Sequence, residues 1–196
     1  MSRRTKIIAI FVIIVAIGSG AFAFFERQSG VPQEFTQARS QGAAIAANIV
    51  TISSQSTADL AKVNELDKQG NYTDALAMTT QLVTQSQQLR DQAIALSNQV
   101  SQMTQALSLV NSFEARQAAL QGIASQLAII TQLVNYSNDL DKLLLVLQNH
   151  FTNRAWQPND VQGLVNQINL DVTAINNFNS QATQAMAQFD TITSGK

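Results

Sequence analysis

Between Tyr72 and Val110 the residues Tyr72, Ala75, Thr79, Leu82, Ser86, Leu89, Ala93, Leu96, Val100, Met103, Leu107 and Val110 follow one another at alternating steps of three and four. A strand repeats every two residues and a helix every 3.6, so this spacing lines them along one edge of a single long helix and excludes a strand. A helix of such polar composition does not persist in water unless that edge is covered, so the seam calls for partners of similar length.

The same spacing recurs three times. Phe35, Ala38, Gly42, Ile45, Ile49, Ile52, Ser56, Asp59, Val63 and Leu66 form a first seam. Leu120, Ile123, Leu127, Ile130, Leu133, Ser137, Leu140, Leu144, Leu147 and Phe151 form a third, and Val161, Leu164, Ile168, Asp171, Ile175, Phe178, Ala182, Ala185, Phe189 and Ile192 a fourth. Stops separate them. In KQGNY, Gly70 suits the left-handed position that ends a helix, and Asn71 can cap the next one, with Asp74 near its positive end. Asn111 and Ser112 offer a second cap, Asn111 and Glu114 having capping-box spacing, and NRAWQPND makes the last loop, with Pro158 at the first helical position. The prediction is an all-α chain: a membrane or signal helix over 1–28, a linker over 29–34 and an antiparallel up-down-up-down four-helix bundle over 35–193.

Upstream, residues 7–25 are uninterrupted apolar or small residues, long enough as a helix to match most of a bilayer core of roughly 30 Å. Arg3, Arg4 and Lys6 precede them, which orients the N-terminus to the cytoplasm and the bundle outside. The competing reading is a cleaved signal peptide giving a secreted or periplasmic domain, since Ala21 and Ala23 have the A-x-A spacing of a cleavage site. Phe24 and Phe25 carry the apolar run beyond that cut and favour retention. The third seam is not a second span, because Thr131, Gln132, Asn135, Asn138, Asp139, Asp141 and Lys142 interrupt it.

Charge narrows the function. Nine basic residues follow the apolar run against thirteen acids, with no basic stripe, so nucleic acid is not an expected partner. Without cysteine there is no disulfide, thiolate nucleophile or zinc-cysteine site. His150 is the sole histidine and sits at a helix end, where packing or capping suffices to explain it. Its candidate metal partners Asp139 and Asp141 are two apart and point to different helix faces. No phosphate loop, nucleophile elbow or paired-histidine motif is present, and the expectation is a non-enzyme without cofactor or metal.

The remaining candidates are contact residues. Asp59 and Asp171 fall on seams, where a carboxylate must lean out to water or find a partner; with Ser56, Ser86, Ser137 and Thr79 they could form a polar layer that sets register or meets a ligand. Trp156 lies in the last loop, closing one end of the bundle or touching a partner. The third helix is apolar nearly all round at LDKLLLVL, so Leu143 and Leu145 are expected either in the core or against a protein partner, with self-association as a further use of that face.

GNYTDAL resembles the turn and helix start of tetratricopeptide hairpins, but it occurs once and the helices are too long for that 34-residue repeat. An exported four-helix bundle behind a membrane helix is similar in architecture to the sensory domain of bacterial chemoreceptors, which would imply a ligand-binding module. Those receptors continue into a second membrane helix and a cytoplasmic signalling region, which the sequence up to Lys196 does not supply. The leading expectation is a membrane-anchored extracytoplasmic bundle serving as an envelope spacer or protein-interaction scaffold. The alternatives are a ligand-binding sensor-like module and a secreted membrane-active helical protein.

Overall fold

The computed structural model describes residues 30–153 and 158–195; the apolar run 7–25 and Trp156 lie outside the described residues. Four long helices account for nearly all of it, α1 (Gln33–Lys68), α2 (Tyr72–Ala106), α3 (Phe113–Asn153) and α4 (Pro158–Ser194), and there is no strand among the described residues. At 1.5 Å per residue they are rods of roughly 50 to 60 Å. Consecutive helices pack along one another in a bundle-like arrangement. Early residues of each meet late residues of the next, so the chain doubles back at each connection.

Local chemistry sets the ends. Pro32 precedes α1 with φ −59° and ψ 140°, and its carbonyl accepts from the Thr36 amide, so the helix starts two residues before the first seam position. Gly70 (φ 74°) closes α1 with a paired turn, its amide donating to the Asp67 carbonyl while the Asn71 amide donates to that of Leu66. Asn71 then caps α2 by accepting from the Asp74 amide.

At the second reversal a short 3-10 turn, Leu107–Leu109, ends α2. The cap is Ser112, not the expected Asn111 and Glu114 box: the Ala115 amide donates to Ser112 Oγ at 3.1 Å, and Ser112 bonds the Glu114 carboxylate. The hydroxyl of Ser112 sits at the right distance before the first turn, and Asn111 lies one residue too far out. Glu114's own backbone amide, and then the Ser112 hydroxyl, hold its carboxyl below the ordinary value.

The second seam is buried along its length apart from the half-buried Tyr72 at its start. The third seam is buried at Ile123, Leu133, Ser137, Leu140, Leu144 and Phe151, but in the first half of α3 Leu120 and Leu127 face outward and the buried face also takes in Ala115, Ala118, Ala119, Gly122, Gln126 and Ile129. Small residues let α4 come close: a Cβ added to Gly122 would stand 2.7 Å from Cε of Met186. α1 and α4 meet where α1 begins and α4 ends. The rings of Phe35 and Phe189 lie 5.1 Å apart, and the buried Arg39 holds both oxygens of Asp190 at 2.6 and 2.8 Å. A two-pronged pair of this kind fixes the angle of the two carriers as well as their separation. No helix among the described residues is long and apolar enough to cross a membrane.

Candidate functional site

Buried polar residues gather at one level, part-way along the bundle, where the reversals bring α1 near 56–59, α2 near 85–90, α3 near 137–142 and α4 near 167–171. Each face is linked differently.

Between α1 and α2, the amide of Gln85 serves two groups. Its Nε2 donates to Asp59 Oδ2 at 2.7 Å, and its Oε1 accepts from Ser56 Oγ at 2.7 Å. Gln55 donates to the other Asp59 oxygen at 2.9 Å. A carboxylate withdrawn from water needs such donors, and here one comes from its own helix and one from the neighbour.

Between α2 and α3, Ser86 and Ser137 exchange hydrogen bonds with each other's backbone carbonyls. A turn further on, Arg90 reaches Asp141 at 2.6 Å, with Asn138 and Ser137 at 3.3 Å. The pair is one-pronged, since Arg90 Nε and Asp141 Oδ1 have no hydrogen-bond partner.

The α3–α4 side is the least settled. Asp139 is bonded by Lys142 at 2.6 Å. Asp171 is buried on α4, taking one bond of 3.3 Å from Gln167, while its Oδ2 has no partner. Burial, then the neighbouring Asp139 charge, push the Asp171 carboxyl above its ordinary value, and the Gln167 bond and Lys142 only partly oppose them.

Elsewhere in the core the Tyr136 hydroxyl and both amide atoms of Gln126 are buried without a hydrogen-bond partner, and burial pushes the Tyr136 phenol above its ordinary range. At the end opposite the α2–α3 reversal, His150 Nε2 lies 3.1 Å from Asp67 Oδ1 and its ring stands edge-on to Tyr72, with Phe151 alongside. His150 thus ties the end of α3 to the end of α1. Among the described residues, no group of three or more His, Cys, Asp or Glu side chains could hold a metal ion.

Of the residues singled out from sequence, Asp59 and Asp171 lie in the belt, on α1 and α4. Ser56, Ser86 and Ser137 also join it, whereas the Thr79 hydroxyl bonds its own helix at the Ala75 carbonyl. Leu143 is buried in the core, and Leu145 is exposed. The belt also holds residues that the seams did not mark: Gln85, Arg90 and Asp141. Equal spacing from the reversal at 110–112 marks Ser86 and Ser137 as neighbours but not Arg90 and Asp141, which lie at unequal distances before and after it.

Two open grooves run along the α1–α2 face. One, of about 350 Å³, is lined by Asn48, Thr51, Ile52, Gln88, Asp91 and Gln92. The other, of about 600 Å³, is bordered by Glu34, Gln37, Gln41, Gln102, Gln105 and Leu109 at the end where α1 starts. Both are open to solvent, and Asn and Gln side chains supply about half of their linings. No protein-family model matches the chain, no curated protein matches its sequence and no solved structure matches its fold.

Proposed function

We propose that the chain is a non-enzymatic, membrane-anchored protein whose up-down-up-down bundle stands outside the cytoplasmic membrane as a spacer or protein-interaction scaffold. The apolar residues 7–25 are the anchor in this reading, with the N-terminus cytoplasmic. The observation that carries it is the belt. Polar groups from α1, α2 and α3 bond across the seams to one another, an arrangement that stiffens a rod and fixes its register. Leu120, Leu127, Leu145 and Leu170 remain exposed on the sides for contact with a protein partner or a second copy.

The test is affinity capture of the tagged full chain from crosslinked membranes. A stoichiometric protein partner whose crosslinks map to the outward faces of α3 or α4 supports the scaffold. A bundle that retains no protein and brings down one small molecule in equal amount overturns it.

A second reading, a ligand-binding module, draws on the buried and unpartnered Tyr136 hydroxyl and Gln126 amide. Such groups cost stability unless something bonds them. It requires that a small polar molecule raise the melting temperature of the wild-type chain and not that of Tyr136→Phe. A screen with no stabilising compound counts against it.

A further inference from the structure

Leu109 and Phe113 are about 60% exposed on either side of the α2–α3 reversal, in a turn whose other apolar members, Leu107 and Val110, are buried. The turn is held firmly. The Val110 amide donates to the Leu107 carbonyl, and the Ser112 cap fixes the start of α3 directly before Phe113. A rigid reversal that presents a leucine and a phenylalanine to water, with polar residues filling its other outward positions, exposes apolar surface that folding does not require.

The position of this tip is informative. Leu109 shares a groove with Glu34 and Gln37, so the tip lies beside the first turn of α1, and Phe35 and Arg39 bring the end of α4 to the same end. Val31 packs against the core there. In sequence only five residues lie between Phe25, the last of the apolar run, and Val31, and fully extended the six steps reach about 20 Å. A bundle of roughly 50 to 60 Å tethered so closely holds this end at the membrane and its opposite end far from it. Among the described residues Glu34, Glu114 and Arg116 stand near the tip in sequence or groove, and they include no cluster of lysine or arginine to seek anionic headgroups.

We infer that the 107–113 tip is a second membrane contact, Leu109 and Phe113 inserting into the interfacial layer of the bilayer that holds residues 7–25. This rests on the anchor reading above. With one tether the rod would swivel; a second apolar foothold on the same end holds its tilt. The occupant is lipid itself, entered by apolar side chains, so zwitterionic vesicles suffice and salt has little effect.

The chain has no cysteine, so spin labels can be placed singly on the full-length protein through Leu109→Cys, Phe113→Cys, Asn71→Cys at the opposite end and Ile13→Cys in the apolar run. In phosphatidylcholine vesicles, collision with oxygen relative to a water-soluble nickel chelate reports depth. The inference predicts a ratio several-fold higher at 109 and 113 than at 71, unchanged in high salt. Water-like values at 109 and 113 with a lipid-like value at 13 overturn the tip contact and leave the anchor standing. A water-like value at 13 as well removes the anchor and the tip contact together. Labels at 109 and 113 shielded from both oxygen and nickel indicate a protein covering the tip, which also overturns it. Circular dichroism of each variant confirms that the helices are retained.

Discussion

Ser86 of α2 and Ser137 of α3 each donate to the other's backbone carbonyl, at 3.1 and 3.0 Å, with 2.9 Å between their hydroxyls. The reciprocity requires both side chains to be small, because the two backbones must come within reach of one serine. Ser86→Ala should cost about 1 kcal/mol in chemical denaturation, the worth of one buried hydrogen bond. Ser86→Leu should cost about 2 to 3 kcal/mol, since it wedges the helices apart. Equal losses for the two variants would show that the contact is not close-packed.

Gln85 is the donor that Asp59 takes from the neighbouring helix. Gln85→Leu should therefore destabilise by about 2 to 3 kcal/mol, because it leaves a buried carboxylate one donor short. Adding Asp59→Leu to that variant should restore much of the loss. A double variant as unstable as the sum of the singles would mean the two side chains do not act on each other.

Asp171 gives the chain a pH dependence with a definite sign. Its folded-state pKa lies above the ordinary 3.8, so the folded state holds its proton more tightly than the unfolded one. The stabilisation from that proton is present below pH 3.8 and is lost as pH rises through the folded value. Asp171→Asn should remove this part of the pH profile and raise stability at neutral pH by on the order of 1 kcal/mol. Parallel melting-temperature profiles of wild type and variant from pH 3 to pH 7 would contradict it.

Gly122 faces the flexible end of Met186. Gly122→Ala should stay within about 1 kcal/mol of wild type, the gain in helix propensity offsetting the small shift asked of Met186. Gly122→Leu should cost about 3 kcal/mol, because α3 and α4 would have to separate. Urea midpoints of the two variants decide it.

The seams made the four helices legible because steps of three and four survive even where Ser and Thr replace apolar residues, as at Thr79, Ser86 and Ser137. The facing of α3 was legible from Leu133 to Phe151, where Leu133, Ser137, Leu140, Leu144 and Phe151 are buried, and not at Leu120 and Leu127. Leu120 and Leu127 carry more apolar area than Ala119 and Gly122, so periodicity weighted by hydrophobicity chose the leucines. The packing chose the small residues, which allow a closer α4. The polar belt was readable in part. Asp59 and Asp171 stand on seams, but Gln85 sits beside its seam, and its two bonds depend on the relative height of α1 and α2, which only the folded chain defines. His150 was legible as a helix-end residue and not as a neighbour of Asp67, 83 residues away.

The central claim is that residues 7–25 hold the chain in a membrane with the bundle on the outer side. Full-length Asn71→Cys and Ser2→Cys variants, made in a bacterial host and treated with a membrane-impermeant maleimide before and after lysis, test it directly. The account predicts both variants in the membrane pellet, with Asn71→Cys labelled in intact spheroplasts and Ser2→Cys labelled only after lysis. Ser2→Cys labelled from outside, Asn71→Cys protected until lysis, or a soluble chain trimmed after Ala23 would contradict it.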